Sequence, residues 1–315
     1  MTSAAPLAIG VDLGATKIAA ALVSRDGNII ATQRQPTTPA RGPKVVLANI
    51  AQVINELLRQ TPRSVSGVGI GAPGQVDPNG GSVRNAVNLG WYEVALISEI
   101  NDRLEVDLPI HIQRDVNAEL LGETYFGAGV GCDNLIYLGI GSGLGGAAMV
   151  NGRLVIGDQF SASEIGHLTL DAEGRPCACG RRGCAETILS GSGLLAITHD
   201  YLSQGAYPTG LSASTEFTPA MVVAAAEADD PLALAVFAEM ARWLGAIMAA
   251  YVSILNPARI VIGGGLGRAA FNILLPGVQT ELGQRVLPIS YRHLELVQSR
   301  LASSAVGAAC LVWYT

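Results

Sequence analysis

The chain has 315 residues, more than the ~250–300 at which one hydrophobic core stops growing, so two lobes are expected. A net charge of −6, with arginines scattered along the chain, excludes a broad nucleic-acid surface. Lysine is confined to Lys17 and Lys44, a bias that says little about function.

The opening residues carry no basic cluster and lead into Ile9-Gly10-Val11-Asp12, where an aspartate interrupts the apolar run. No export signal is read there, and a cytoplasmic protein is expected. Residues 7–11 predict a strand, 12–17 a glycine-containing turn, 18–23 a second strand, 24–28 a polar turn and 29–32 a third strand. Val46, Ile50, Val53 and Leu57 recur at helical spacing up to Pro62, and 65–70 predicts a buried strand. The meander then returns: strand 135–140, turn 141–146, strand 147–150, turn 151–153, strand 154–156. Two similar halves are implied, and strands alternating with helices point to an α/β fold.

Residues 205–218, rich in Ser, Thr, Gly and Pro, predict a surface loop. The longest apolar stretch, 232–255, carries Glu239 and Arg242 near its middle, which a bilayer penalises and a partly exposed core helix tolerates. Asp230 and Pro231 supply its cap and first-turn proline, and Asn256-Pro257 ends it. A strand at 259–262 precedes Gly263-Gly264-Gly265.

His167, Cys177, Cys179 and Cys184 fall within eighteen residues, bracketed by Glu164 and Glu186. Zinc takes four such ligands tetrahedrally, and a site with four protein ligands is closed and structural. Gly180 and Gly183 offer the permissive backbone that turns Cys179 and Cys184 toward one ion. The plainer alternative is three buried or disulfide-paired thiols. Cys132 and Cys310 read as small core residues. A zinc hydrolase would need an open coordination position, which this set closes.

The turns at 12–17 and 141–146 each follow a strand, and their bare amides, with the hydroxyls of Thr16 and Ser142, can surround phosphate oxygens. Either turn alone is more often a hairpin than a phosphate site, and their pairing favours the phosphate. The Walker pattern and the Rossmann fingerprint are both missing. Asp115 follows the predicted strand 110–112 and reads equally as a helix cap.

Taken together, Asp12-Leu13-Gly14-Ala15-Thr16-Lys17, Gly69-Ile70-Gly71-Ala72-Pro73-Gly74, Asp115-Val116-Asn117-Ala118, the 141–146 turn, the 164–186 block and the 256–265 segment resemble a ROK-family sugar kinase across nearly the whole chain. The most specific part is Glu-Ile-Gly-His followed by Cys-Ala-Cys-Gly-Arg-Arg-Gly-Cys-Ala-Glu. The resemblance implies two lobes built on duplicated ribonuclease-H-like halves, as in actin and hexokinase, with an interlobe cleft. It implies an N-terminal lobe over 1–113, with 300–315 packing back on it, and a larger lobe with the zinc loop over 114–299.

It further implies an ATP- and magnesium-dependent hexose kinase with structural zinc, in the manner of the family's glucokinases, whose Gly-Ala-Pro-Gly segment residues 71–74 resemble. Asp115 would be the general base, and Gly71, Asn88, Arg114, Asp115, Glu164, His167 and Glu186 would line the sugar. Asp12 would hold magnesium, while Gly14, Thr16, Lys17, Ser142, Gly143, Gly264 and Gly265 would line the nucleotide. His167, Cys177, Cys179 and Cys184 would bind the zinc. Homodimers or homotetramers are expected, with neither nucleic acid nor membrane as partner.

Arg114 departs from the family, which places Asn before the catalytic Asp. A guanidinium offers only donors and a permanent charge, so a different hexose or a pairing with Asp115 or Glu164 is open. The alternatives are a kinase for fructose, mannose or an N-acetylhexosamine, and a sugar-binding regulator. About a dozen residues precede Asp12, too few for a helix-turn-helix arm, which favours the enzyme.

Overall fold

The computed structural model describes residues 6–212 and 217–314. The chain forms two compact units, one of Met1–Gly131, Leu154–Ala162 and Arg300–Thr315, the other of Cys132–Arg153 and Ser163–Ser299. The boundary expected at residue 113 therefore falls at Gly131. The reason is packing: the helix that starts at Asp115 lies on the first unit's sheet and on the C-terminal helix Ser304–Cys310.

In the first unit, β1 (Leu7–Leu13), β2 (Lys17–Ser24) and β3 (Ile29–Pro36) form the meander, followed by α1 (Pro43–Arg59) and β4 (Val65–Ala72). Residues 75–94 add a small antiparallel sheet of β5 (Gln75–Asp77), β6 (Ser82–Ala86) and β7 (Trp91–Val94). Then come α2 (Leu96–Asn101), β8 (Ile110–Arg114) and α3 (Asp115–Phe126). The main sheet has the order β3-β2-β1-β4-β8. β1 pairs antiparallel with β2 and parallel with β4, which is parallel to β8.

Strand alternation sorts the two faces of this sheet. Leu7, Ile9, Val11 and Leu13 of β1 join Val46, Ile50, Val53 and Leu57 of α1 in one buried cluster. Ala8 on the other face packs against Leu301, Ala305, Val306 and Ala309. Glycines keep that face flat: a Cβ on Gly10 or Gly69 would run into the backbone of Ala305 or Ala308. Gly69 and Gly71 in β4 are thus the imprint of helices lying directly on the strand.

The second unit repeats the plan. β9 (Leu135–Ile140), β10 (Leu144–Val150) and β11 (Arg153–Leu154) form its meander. α4 (Gly191–Gln204), α5 (Pro219–Glu227) and α6 (Pro231–Leu255) lead to β12 (Arg259–Gly263). α7 (Gly265–Ala269), α8 (Phe271–Arg285), α9 (Pro288–Tyr291) and β13 (Glu295–Gln298) follow. The order β11-β10-β9-β12-β13, with β9 antiparallel to β10 and parallel to β12, and β12 parallel to β13, matches the order of the first sheet strand for strand.

α6 is long and apolar enough by composition to cross a membrane, yet most of its apolar window is buried, packed on α8, α4 and α5. Asp230 caps it by accepting from the Ala233 N–H at 3.0 Å, and Asn256 ends it in the left-handed region. Of the residues 205–218 read as a loop, 213–216 lie outside the described residues.

Several strands run further than the sequence suggests. β1 continues through Asp12 and Leu13, which pair with Ala19 and Ile18, so the first glycine turn shrinks to residues 14–16. β10 begins at Leu144, paired with Ile140, which leaves 141–143 as the second turn. Cys310 is fully buried, but Cys132 is only half-buried because it sits in the connection between α3 and β9.

Candidate active site

Three neighbouring parallel strands of the first unit end in candidate residues. Asp12 pairs with Gly71 across β1 and β4, and Ala72 pairs with Arg114 across β4 and β8. Asp115 follows as the first residue of α3. A Cβ on Gly71 would lie 3.3 Å from the Asp115 Cα, so glycine there lets α3 start against the strand. The carboxyl ends of parallel strands are where open α/β sheets gather ligands.

Asp115 accepts from the Val116 N–H through Oδ1 at 2.8 Å, so its carboxylate is anchored at the helix start. Arg114, 4% exposed, donates to the Ala162 carbonyl at 2.6 Å, and its own N–H is held by Gln113 Oε1 at 2.9 Å. Burial pushes the Asp12 carboxyl up to about 7; Glu119 and Asp115 push in the same direction, and Lys17 opposes them. Like charges crowded in this way favour a cation, so the donor set fits a magnesium ion. Lys17 and Thr16 are exposed at the turn between β1 and β2. Asn88 is exposed on the one-turn 3-10 helix Val87–Leu89.

In the second unit the 141–143 turn and Gly264-Gly265 come together at the ends of the adjacent strands β9 and β12. Gly264 has φ 75°, a left-handed conformation, and a Cβ there would strike the Ile140 backbone. The Gly191 N–H, at the start of α4, donates to the Gly141 carbonyl at 2.8 Å. Glu186 accepts from the Leu144 N–H at 3.0 Å, and the same oxygen abuts Gly143. Glu186, expected at the sugar, is therefore tied to the second glycine turn.

The cysteine loop folds as a compact knuckle. Thr169 bridges to Cys184 and Pro176 to Arg182, while the Cys177 N–H donates to the Arg181 carbonyl at 2.8 Å. Gly180 and Gly183 take φ of 87° and 65°, and a Cβ on Gly183 would collide with the Asp171 carbonyl. The ligand atoms of His167, Cys177, Cys179 and Cys184 all lie within 4.8 Å of one another. Tetrahedral zinc at 2.3 Å from sulfur and 2.0–2.1 Å from nitrogen requires sulfurs about 3.8 Å apart and sulfur about 3.6 Å from nitrogen. Cys179 Sγ lies 3.6 Å from Cys184 Sγ, and Cys177 Sγ 3.8 Å from His167 Nδ1, so the set fits a structural zinc. His167 is exposed and turns Nδ1 to the thiols, leaving Nε2 on the other side of the ring. Glu164 immediately precedes the short 3-10 helix Ile165–His167 that carries this histidine.

Two residues absent from the sequence reading emerge. Thr37, fully buried, reaches back to the first glycine turn, and Gln113, 5% exposed, accepts from both the Arg114 N–H and the Asn117 side chain. Neither lies in a motif; only Pro36, ending β3, marks the place of Thr37.

The profile of the ROK family matches residues 8–314. A glucokinase from Thermotoga maritima is 33% identical over 312 residues, covering 96% of each chain. A xylose repressor from Caldicellulosiruptor bescii is 30% identical over 310 residues, covering 96% of this chain and 76% of the repressor. The crystal structure of a ROK family glucokinase from Streptomyces griseus, in complex with glucose and AMPPNP, matches with a TM-score of 0.83 at 32% identity, over 97% of this chain and 98% of that one. The duplicated sheets accordingly have the actin/hexokinase-like fold.

Proposed function

We propose that this chain, which belongs to the ROK family, is an ATP-dependent hexose kinase that converts glucose to glucose 6-phosphate. The observation that carries the reading is the meeting of Asp12, Gly71 and Asp115 at the ends of three adjacent parallel strands. The likeness to glucokinases over nearly the full length of both chains supports it.

In this reading Asp115 accepts the proton of the sugar hydroxyl as its oxygen attacks the γ-phosphorus. The Val116 N–H on Oδ1 fixes the carboxylate's orientation, so its other oxygen has a defined direction. The glycine turns at 14–16 and 141–143, with Gly264 and Gly265, hold the nucleotide by backbone amides. Asp12 would hold magnesium, which would supply neutralisation of the charge on the transferring phosphoryl group.

Glu164, His167 and Glu186 hold sugar hydroxyls. A carboxylate has two acceptor oxygens, so Glu186 can keep Leu144 on one and offer the other to the sugar. Zinc on Nδ1 would fix the imidazole and leave Nε2 for a hydroxyl; the metal supplies orientation only. Arg114 already serves the Ala162 carbonyl, which supports a positioning role rather than the amide contact that Asn makes in the family. The reading places the enzyme in the cytoplasm, where ATP is regenerated, as a homodimer or homotetramer.

The test is ADP release on adding ATP, magnesium and each of glucose, fructose, mannose and the N-acetylhexosamines. Glucose should give the highest kcat/KM. The similarity to a xylose repressor favours a second reading, a sugar-binding regulator. Sugar binding with no ADP release for any hexose would select it and reject the kinase.

A further inference from the structure

Thr37 stands just past the end of β3, fully buried, and makes two hydrogen bonds to the turn between β1 and β2. Its hydroxyl donates to the Gly14 carbonyl at 2.7 Å, and its backbone N–H donates to the Thr16 carbonyl at 3.0 Å. Within the turn, the Gly14 N–H donates to the Lys17 carbonyl at 3.0 Å. The turn is therefore held from the β3 side as well as by its own hairpin.

A planar trans peptide points its C=O and the following N–H in opposite directions. Drawing the Gly14 carbonyl toward Thr37 therefore turns the Ala15 N–H away from Thr37, on the open side of the turn. A turn attracts anions only when its amides, not its carbonyls, face them. Without the hydroxyl the Gly14–Ala15 peptide can rotate, and a carbonyl then opposes the phosphate.

The second unit shows the corresponding device built from different atoms. The Gly191 N–H holds the Gly141 carbonyl at 2.8 Å, which by the same planarity turns the Ser142 N–H outward. The equivalent turns of the duplicated fold are thus both braced by a donor from outside the hairpin on their first carbonyl. In the first unit that donor is a side chain and can be removed by substitution.

We propose that Thr37 is a positioning residue for nucleotide binding, which fixes the Gly14–Ala15 peptide so that the Ala15 amide donates to a phosphate oxygen of ATP. This rests on the kinase reading above. Thr37→Val keeps the shape and deletes the hydroxyl; Thr37→Ser keeps the hydroxyl and deletes the methyl. Losing one such hydrogen bond should weaken binding of a non-hydrolysable ATP analogue roughly ten-fold by calorimetry and raise KM for ATP similarly. The KM for glucose should stay as in the wild type, and Thr37→Ser should restore ATP binding.

Thr37→Val that binds the analogue as tightly as wild type, or that weakens glucose and nucleotide alike, overturns the proposal. In the wild-type protein, amide hydrogen exchange supplies a reading independent of any variant's folding. The analogue with magnesium should slow exchange at Ala15 and glucose alone should not; an unchanged Ala15 rate with the analogue bound also overturns it. Analogue binding without hexose phosphorylation would instead count against the kinase reading and leave this proposal standing.

Discussion

Asp12 is held where its charge is unwelcome: it is half-buried at the end of β1, and desolvation, then Glu119 and Asp115, raise its pKa to about 7. The folded protein therefore binds this proton more tightly than the unfolded chain does. The stability it contributes is fully present below about pH 4 and is lost as pH rises through 7. In metal-free buffer, Asp12→Asn should therefore gain stability over wild type between pH 5 and 8. A shift of about three units bounds the gain at about 4 kcal/mol. Urea unfolding at several pH values checks this, and parallel pH profiles for the two proteins would contradict it. Residues of this kind were legible in part: His167, Cys177, Cys179 and Cys184, whose ligand atoms cluster, are close in sequence, so spacing alone points to them. Thr37 was not, because its link to Gly14 spans 23 residues and exists only once β3 pairs with β2. The Glu186 bond to Leu144, 42 residues away, was hidden for the same reason.

At the level of elements, the cysteine loop and the second glycine turn form one construction. Glu186 holds the Leu144 N–H, and Gly166, beside His167, is pressed on the Leu144 carbonyl. Burial pushes the Cys184 thiol up to about 12, so a metal must displace its proton, and loading releases acid. Stripping the protein with a chelator should raise KM for ATP as well as for the sugar, and should open residues 168–184 to proteolysis. Zinc should reverse both effects. A chelated protein with unchanged nucleotide affinity would separate the loop from the turn. The elements themselves were largely readable, since the apolar run of β1 and the cap, first-turn proline and Asn-Pro ending of α6 are local signals. Strand ends were misjudged because Asp12 and Leu13 look like turn residues until their partners Ala19 and Ile18 are known.

On the scale of the molecule, the repeat in the sequence corresponds to two sheets of identical order, and the first is completed by the chain's far end. Glu123 of α3, fully buried, ties that far end to the first unit: it accepts from the N–H groups of Ala128 at 2.6 Å and of Arg300 and Leu301 at 3.1 Å. Glu123→Ala removes this acceptor from buried N–H groups and should cost about 2–5 kcal/mol. An unfolding midpoint equal to wild type would show that the C-terminal segment is held by apolar packing alone. The unit boundary was the part least visible in sequence, because α3 belongs with residues 304–310 by packing that no local pattern announces.

The central claim, that Asp115 takes the proton from the attacking sugar hydroxyl, is tested most directly by the turnover of Asp115→Asn with glucose, ATP and magnesium. The amide keeps the volume and a hydrogen bond to the sugar but cannot act as the base. Turnover should fall ~10²–10⁴-fold while glucose binding persists. Turnover within a few-fold of wild type would remove Asp115 from the chemistry and require another base.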